Sequence, residues 1–352
     1  MIPVLDSILG RFSNDLGIDL GTVNTLIVVK GKGIAIREPS VVAAYKKNKR
    51  IVAFGTEAKK MLGRTPVNIE VVRPLKSGVI SDYDITLAML SNFIDKIHAN
   101  WGKTFGIFSR PRVVIGVPSF VSEVERRALA DVAYACGARQ VLLVDEPVAA
   151  AIGAGVNIME AAGTMVVDIG GGTSEIAIIS LGGIVVGRSL KVGGDAMDGD
   201  IIRYVRMRYS LSIGEATAEE IKVNLGSAYP IKVEKEMIVR GRDLEKGLPK
   251  AVKINSVQVR EALSATITSI IAAVRDVIHD APPELSNDIS TRGIVLSGGG
   301  ALVSGMGKLI SAETKLPVTI ADEPLSCVVL GCAFLLEDAE LFSRLHVARA
   351  GK

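Results

Sequence analysis

Residues 165–175 read MVVDIGGGTSE, and residues 16–24 read LGIDLGTVN. Both are apolar, β-branched runs that end in Asp and open onto Gly, the pattern of a buried strand turning into a hairpin. The later stretch continues as a strand at Glu175–Ser180, a turn at Gly182–Gly183 and a strand at Ile184–Leu190. The earlier one reads as strands at Ile18–Lys30 and Gly33–Ile36 around a turn. A separation of roughly 150 residues is one domain's length, so the pair marks a duplicated domain rather than a solenoid. Strand–helix units follow each block. In the first half these are Arg112–Val117, a helix over Ser122–Cys136 with a Ser122/Glu125 capping box, Gln140–Val144 and an Ala-rich helix over Pro147–Ala154. The second half has a long helix over Val257–His279, a strand over Gly293–Leu296 and a helix over Ser304–Thr314. The more polar pieces Arg37–Pro74 and Val192–Lys253 read as insertions, one small subdomain per half.

Composition agrees with this α/β reading. The 352 residues exceed one ordinary core. A 48% hydrophobic content with 4% aromatics and 36 glycines favours sheets covered by helices. With 41 basic against 38 acidic residues, nothing global argues for a nucleic-acid partner. Cys136, Cys327 and Cys332 lie in apolar contexts and read as buried reduced thiols, with no His nearby to make a zinc site. The longest apolar stretches, Pro147–Val156 and Leu325–Leu336, fall short of the roughly 20 residues a membrane span needs.

A phosphate tail needs many N–H donors at close range and a metal ion to neutralise it. Glycine hairpins supply the donors, because backbone without a Cβ can approach the oxygens. An Asp at a strand end suits magnesium. Asp19 with Gly21-Thr22, and Asp168 with Gly170, Gly171, Gly172 and Thr173, form two such hairpins that would clamp phosphates from opposite sides. A third cluster, Ser297-Gly298-Gly299-Gly300, joins a strand to a helix and either lines a nucleoside or is only a tight turn. Between the hairpins, Glu146 in Val144-Asp145-Glu146-Pro147 sits where one half meets the other. It reads as a carboxylate orienting water for in-line attack on a γ-phosphate, the bland alternative being a favourable charge at a helix start.

These motifs resemble those of the ATPase superfamily of actin, DnaK-type chaperones and sugar kinases. Within it the chain is most similar to the MreB family of bacterial actin homologues. The likeness is carried by Asn14–Ala43, Glu57–Pro66, Val117–Leu129, Val144–Gly155, Val166–Val185, Val192–Asp198, Gly241–Pro249 and Leu296–Met306, so it runs over essentially the whole chain. It implies a duplicated actin-like (ribonuclease H-like) fold of two lobes, each with an inserted smaller subdomain and the nucleotide in the cleft between. By the family's pattern, residues 1–38, 75–152 and 330–352 form subdomain IA, 39–74 form IB, 153–190 and 254–329 form IIA, and 191–253 form IIB. The resemblance further implies ATP or ADP with Mg2+ as cofactors. Asp19 and Asp168 would organise the metal. Gly21, Thr22, Asn24, Gly170, Gly171, Gly172 and Thr173 would cradle phosphates, and Glu146 would position water with Thr173 beside it. Glu219 and Lys222 would contact ribose or adenine, although as bare sequence they read as a solvated helix face; Gly298, Gly299 and Gly300 would line the nucleoside. Two departures, Ser174 where many relatives have Thr and Val223-Asn224-Leu225 where many carry more charge, do not touch the phosphate chemistry.

Two apolar segments stand apart. Leu5, Ile8, Leu9 and Phe12 share one helical face, suited either to a membrane interface or to packing on the body. Trp101, Phe105, Ile107 and Phe108 fall in a Gly-punctuated loop flanked by Lys103 and Arg110, suited to an anionic membrane surface. The basic run Lys46–Arg50 reads as a solvated hairpin tip. By resemblance, the chain is a cytoskeletal ATPase that polymerises with itself at the inner face of the cytoplasmic membrane. There it would work with wall-synthesis membrane proteins of the MreC, MreD and RodZ type to set rod shape. Rival expectations are a DnaK-like chaperone module and a sugar or acetate kinase.

Overall fold

The computed structural model describes residues 14–101, 110–345 and 348–349, which fall into two compact units. The first unit takes in Met1–Ala161, Ser180–Ile184 and Ser326–Lys352; the second takes in Ala162–Ile179 and Val185–Leu325.

In the first unit, β1 (Leu16–Leu20), β2 (Asn24–Val29) and β3 (Gly33–Pro39) form an antiparallel meander. A small three-stranded sheet follows from β4 (Val42–Tyr45), β5 (Ile51–Phe54) and β6 (Ile69–Val72). The exposed Lys46–Asn48 turn is its hairpin tip, as the basic run predicts. A two-stranded ribbon of β7 (Leu75–Lys76) and β8 (Val79–Ile80) leads to the Tyr83–Trp101 helix. Next, β9 (Arg112–Val117) and β10 (Gln140–Asp145) join the main sheet parallel to β1. Strands β1, β9 and β10 are apolar on both faces because helices cover both. On one face, Met89, Phe93 and Ile97 of the Tyr83–Trp101 helix, and Leu129 and Val132 of the Glu123–Ala135 helix, bury Ile18, Val113 and Ile115. Ser122 caps the Glu123–Ala135 helix in the predicted box with Glu125.

The other face carries the Cys327–Glu337 helix, packed on the Glu146–Gly153 helix. Contact there is backbone to backbone: a Cβ on Gly331 would sit 1.9 Å from the Ala149 carbonyl oxygen, and one on Gly153 1.8 Å from that of Cys327. Cys327 and Cys332 are buried, Cys136 is half-buried, and none of the three is in a disulfide.

The second unit repeats the plan. Strands β11 (Thr164–Ile169), β12 (Ser174–Ser180) and β13 (Gly183–Leu190) lie in line. A side sheet is built from β14 (Leu211–Ser212), β15 (Glu236–Asp243) and β16 (Pro249–Asn255). Then β17 (Ile294–Ser297) pairs parallel to β11, and β18 (Val318–Ile320) pairs with β17. The order β13-β12-β11-β17-β18 matches β3-β2-β1-β9-β10 in the first unit, so the duplication read from the sequence holds at the level of topology. The Ser256–His279 helix has the length and mean hydropathy of a membrane span. Its apolar stripe, including Val259, Leu263, Ile270 and Val274, is nevertheless spent on the core of this unit. The helix predicted from Ser304 begins at Met306, because Gly299–Leu302 first makes a 3-10 turn and Gly305 has φ +78°.

The glycine contact gives a paired test. Gly331→Ala is expected to cost about 3 kcal/mol, since only backbone can yield. Gly199→Ala, on a helix with nothing within 4 Å of the new Cβ, should instead stabilise by about 0.5–1 kcal/mol. Thermal melts of the two variants check this; similar shifts would show that the helices do not meet so closely.

Candidate functional site

In the first unit, Leu20 pairs with Thr25 across a four-residue turn of Gly21, Thr22, Val23 and Asn24. The turn is braced from within: the Gly21 carbonyl accepts from the Ser40 hydroxyl at 2.6 Å, and Ser40 shares a 2.9 Å bond with Thr25. Thr22, buried, accepts the Gly78 N–H at 2.9 Å, which leaves its own proton to donate. Asn24 is exposed.

Asp19 lies on the face of β1 that Gly17 shares, with Gly116 of β9 as its strand neighbour. A Cβ on Gly116 would strike Val328 Cγ1 at 2.6 Å and come within ordinary contact, 3.6 Å, of Glu146 Cγ. Strand β10 closes at Asp145 and Glu146 is the first residue of the helix, 8% exposed, the helix-start setting named among the sequence readings. The preceding corner is pinned by Arg126, which pairs with Asp145 and donates to the Ser119 carbonyl. Beneath lies the Cys332 thiol, donating to the Ile18 carbonyl at 3.9 Å. Burial first, then the Asp19 carboxylate and that of Glu146, push this thiol far above the usual range. Two carboxylates therefore bear on one buried spot.

In the second unit the same four-residue turn, Gly170–Thr173, lies between Ile169 and Ser174. The Gly170 N–H donates to the Thr173 carbonyl at 2.8 Å, and Thr173 is buried. Asp168 is 7% exposed and accepts the Ser297 hydroxyl at 2.7 Å. Burial raises its carboxyl to about 6, with the Ser297 bond opposing the rise. A buried carboxylate with one hydroxyl partner beside a glycine turn fits a magnesium–phosphate group, whose positive charge would replace the lost water. Gly298 and Gly300 have a local reason to be glycine: a Cβ at either would lie within 2.3 Å of Ile169 atoms. Gly299 meets only Leu325, at 3.4 Å, and is the roomiest of the three.

Lys222 corrects the solvated-face reading. Its ammonium donates to Asp198 Oδ2 and to the Gly194 carbonyl, 2.9 Å in each case, with the side chain 17% exposed. Burial lifts the Asp198 carboxyl to about 6; Lys222 opposes that, while Glu219 and Asp195 add to it. Half-buried Glu219 thus belongs to the same cluster. Sequence reading missed Asp198 and Arg126 as site residues, and named Ser297 only as the start of the glycine cluster. Asp198 closes the quoted Val192–Asp198 motif, but its partner is distant in sequence. Leu5, Ile8, Leu9, Phe12, Phe105, Ile107 and Phe108 lie outside the described residues. Trp101 ends a helix rather than entering a loop, and its side chain is likewise outside them.

The family profile described as MreB/Mbl protein matches residues 13–344. The chain belongs to the MreB/Mbl family. It is 51% identical over 334 residues to the cell shape-determining protein MreB of Escherichia coli (strain K12), covering 93% of this chain and 94% of that one. To the cell shape-determining protein Mbl of Bacillus subtilis (strain 168) it is 46% identical over 329 residues, with 94% and 97% covered. The crystal structure of MreB 5 of Spiroplasma citri bound to AMPPNP matches with TM-score 0.87 and 38% identity over 92% of this chain and 96% of that one. The same protein bound to ADP matches equally. A MamK double helical filament, 23% identical, matches with TM-score 0.77 over 92% and 99%, a likeness of fold alone. The MreB/Mbl chain therefore has the duplicated actin-like (ribonuclease H-like) α/β ATPase fold of two lobes.

Asp168 gives a pH prediction. Its folded carboxyl titrates near 6 against an ordinary 3.8, so it costs stability once ionised, and the ligand-free protein loses stability as pH rises through that window. In EDTA without nucleotide, Asp168→Asn should be more stable than the unsubstituted protein at about pH 8, on the order of 2 kcal/mol. The gap should close near pH 4. Identical melting at both pH values would mean that the carboxyl is not held in this way.

Proposed function

We propose that this MreB/Mbl family member is a cytoskeletal ATPase that assembles with itself into actin-like filaments on the inner face of the cytoplasmic membrane. There it organises wall synthesis and rod shape with membrane proteins of the MreC, MreD and RodZ type. The observation that carries the reading is the near-full-length match to relatives named as cell shape-determining, two of whose family structures hold AMPPNP and ADP. The two topologically equivalent Asp-Gly hairpins supply the chemistry it needs.

In this reading the turns Gly21–Asn24 and Gly170–Thr173 offer backbone N–H groups to the phosphates of ATP. Asp19 and Asp168 hold magnesium, which when bound neutralises charge on the phosphate oxygens. Glu146, buried and fixed at the start of its helix by the Arg126–Asp145 corner, accepts a hydrogen bond from water and aims it in line with the terminal phosphate, with Thr173 beside it. Glu219, Lys222 and Gly299 contact the nucleoside. Hydrolysis then weakens the polymer.

Glu146→Ala should bind ATP with unchanged affinity and hydrolyse it at least about 100-fold more slowly. Equal turnover would remove Glu146 from the mechanism. The unsubstituted protein should pellet on centrifugation with ATP and magnesium; a monomer at every concentration, on lipid or off it, would end the filament reading. Liposome flotation tests attachment: changing Trp101, Phe105 and Phe108 to Ser should lower it steeply, since many weak anchors in one filament multiply.

A further inference from the structure

Asp198 and Lys222 come from different helices, Gly194–Tyr209 and Glu215–Leu225, and meet in a largely buried ion pair, 14% and 17% exposed. The Lys222 ammonium also donates to the Gly194 carbonyl. Gly194 is itself part of the brace on the phosphate turn: its N–H donates to the Gly170 carbonyl at 3.0 Å, and the Asp195 N–H donates to that of Gly171 at 2.8 Å. Little slack exists there, because a Cβ on Gly193 would lie 2.5 Å from the Gly170 oxygen. Contacts thus run unbroken from Asp198 through Lys222 and Gly194 to the Gly170–Gly171 turn.

The pair is poorly arranged for stability alone. Asp198 Oδ1 is buried and accepts no hydrogen bond from the described residues. Half-satisfied buried carboxylates are costly, and apolar replacements of buried ion pairs are often as stable. The charges facing Asp198 are Lys222 and Glu219 from the neighbouring helix and Asp195 from its own, so both acids oppose it. Lys222 is the partner that offsets them. Of the three N–H donors on an ammonium, Asp198 and Gly194 take two and leave one.

We propose that Asp198 is a positioning residue for nucleotide binding: it orients the Lys222 ammonium so that the remaining N–H meets the nucleotide while the Gly194 carbonyl, and with it the Gly170–Gly171 turn, stays in register. This rests on the nucleotide-binding reading above.

The test is a titration of the full chain with a fluorescent ADP analogue and magnesium, on the unsubstituted protein, D198N, K222M and the double variant, with ligand-free thermal melts alongside. D198N should bind roughly tenfold more weakly. Adding D198N to K222M should cost no further affinity. A structural role would instead weaken binding equally in both backgrounds and follow the melts, which overturns the proposal. Unsubstituted protein that binds no better than D198N removes this inference and leaves the nucleotide reading intact. Absence of binding by the unsubstituted protein removes both. Should D198N fail to fold by itself, K222M against the double variant still decides: equal affinities uphold the proposal, and a further loss overturns it.

Discussion

The Asp168 carboxylate is buried at the end of a strand with one hydroxyl for company, and much of the second unit is arranged around it. Ser297 can reach it only because β17 pairs directly beside β11 in parallel register. For the chain to leave Ser297 without striking β11, Gly298 and Gly300 must lie flat against Ile169. The turn that follows Asp168 is then fixed by N–H donors from the start of the Gly194–Tyr209 helix. Burying that charge is costly, and the carbonyls of the adjoining turn are held by the N–H groups of Gly194 and Asp195.

The first unit uses the same scaffold differently. Asp19 and Asp168 occupy matching register positions, yet Asp19 faces Leu26 and Gly116 where Asp168 faces Glu175 and Ser297. Gly116 stands where the second unit has Ser297, and Val328 takes the space: a Cβ there would lie 2.6 Å from Val328 Cγ1, with Glu146 Cγ at an ordinary 3.6 Å. Asp168 is thus held by a hydroxyl, whereas Asp19 and Glu146 both bear on the buried Cys332 thiol. The Glu146–Gly153 helix packs backbone on backbone against the Cys327–Glu337 helix. The two turns share one topology and differ in their strand neighbours.

Lys222 shows why local reading of a helix can mislead. Its neighbours Glu219 and Glu220 are charged, and the run looks like any solvated face. The Gly194–Tyr209 helix packs against that face and brings Asp198 and the Gly194 carbonyl to the ammonium.

The sequence by itself determined the two Asp-Gly hairpins, their duplication, the capping box at Ser122 and the family, because each is written in contiguous residues whose backbone preferences act locally. It left Glu146 between a water-positioning role and a favourable charge at a helix start, and the structure makes it the first residue of that helix. Only the tertiary structure decided that Ser297 satisfies Asp168 and that Asp198 holds Lys222. Those pairings join residues 24 to 129 positions apart, and their strength comes from removing charged and polar groups from water, which no local stretch of chain can do alone.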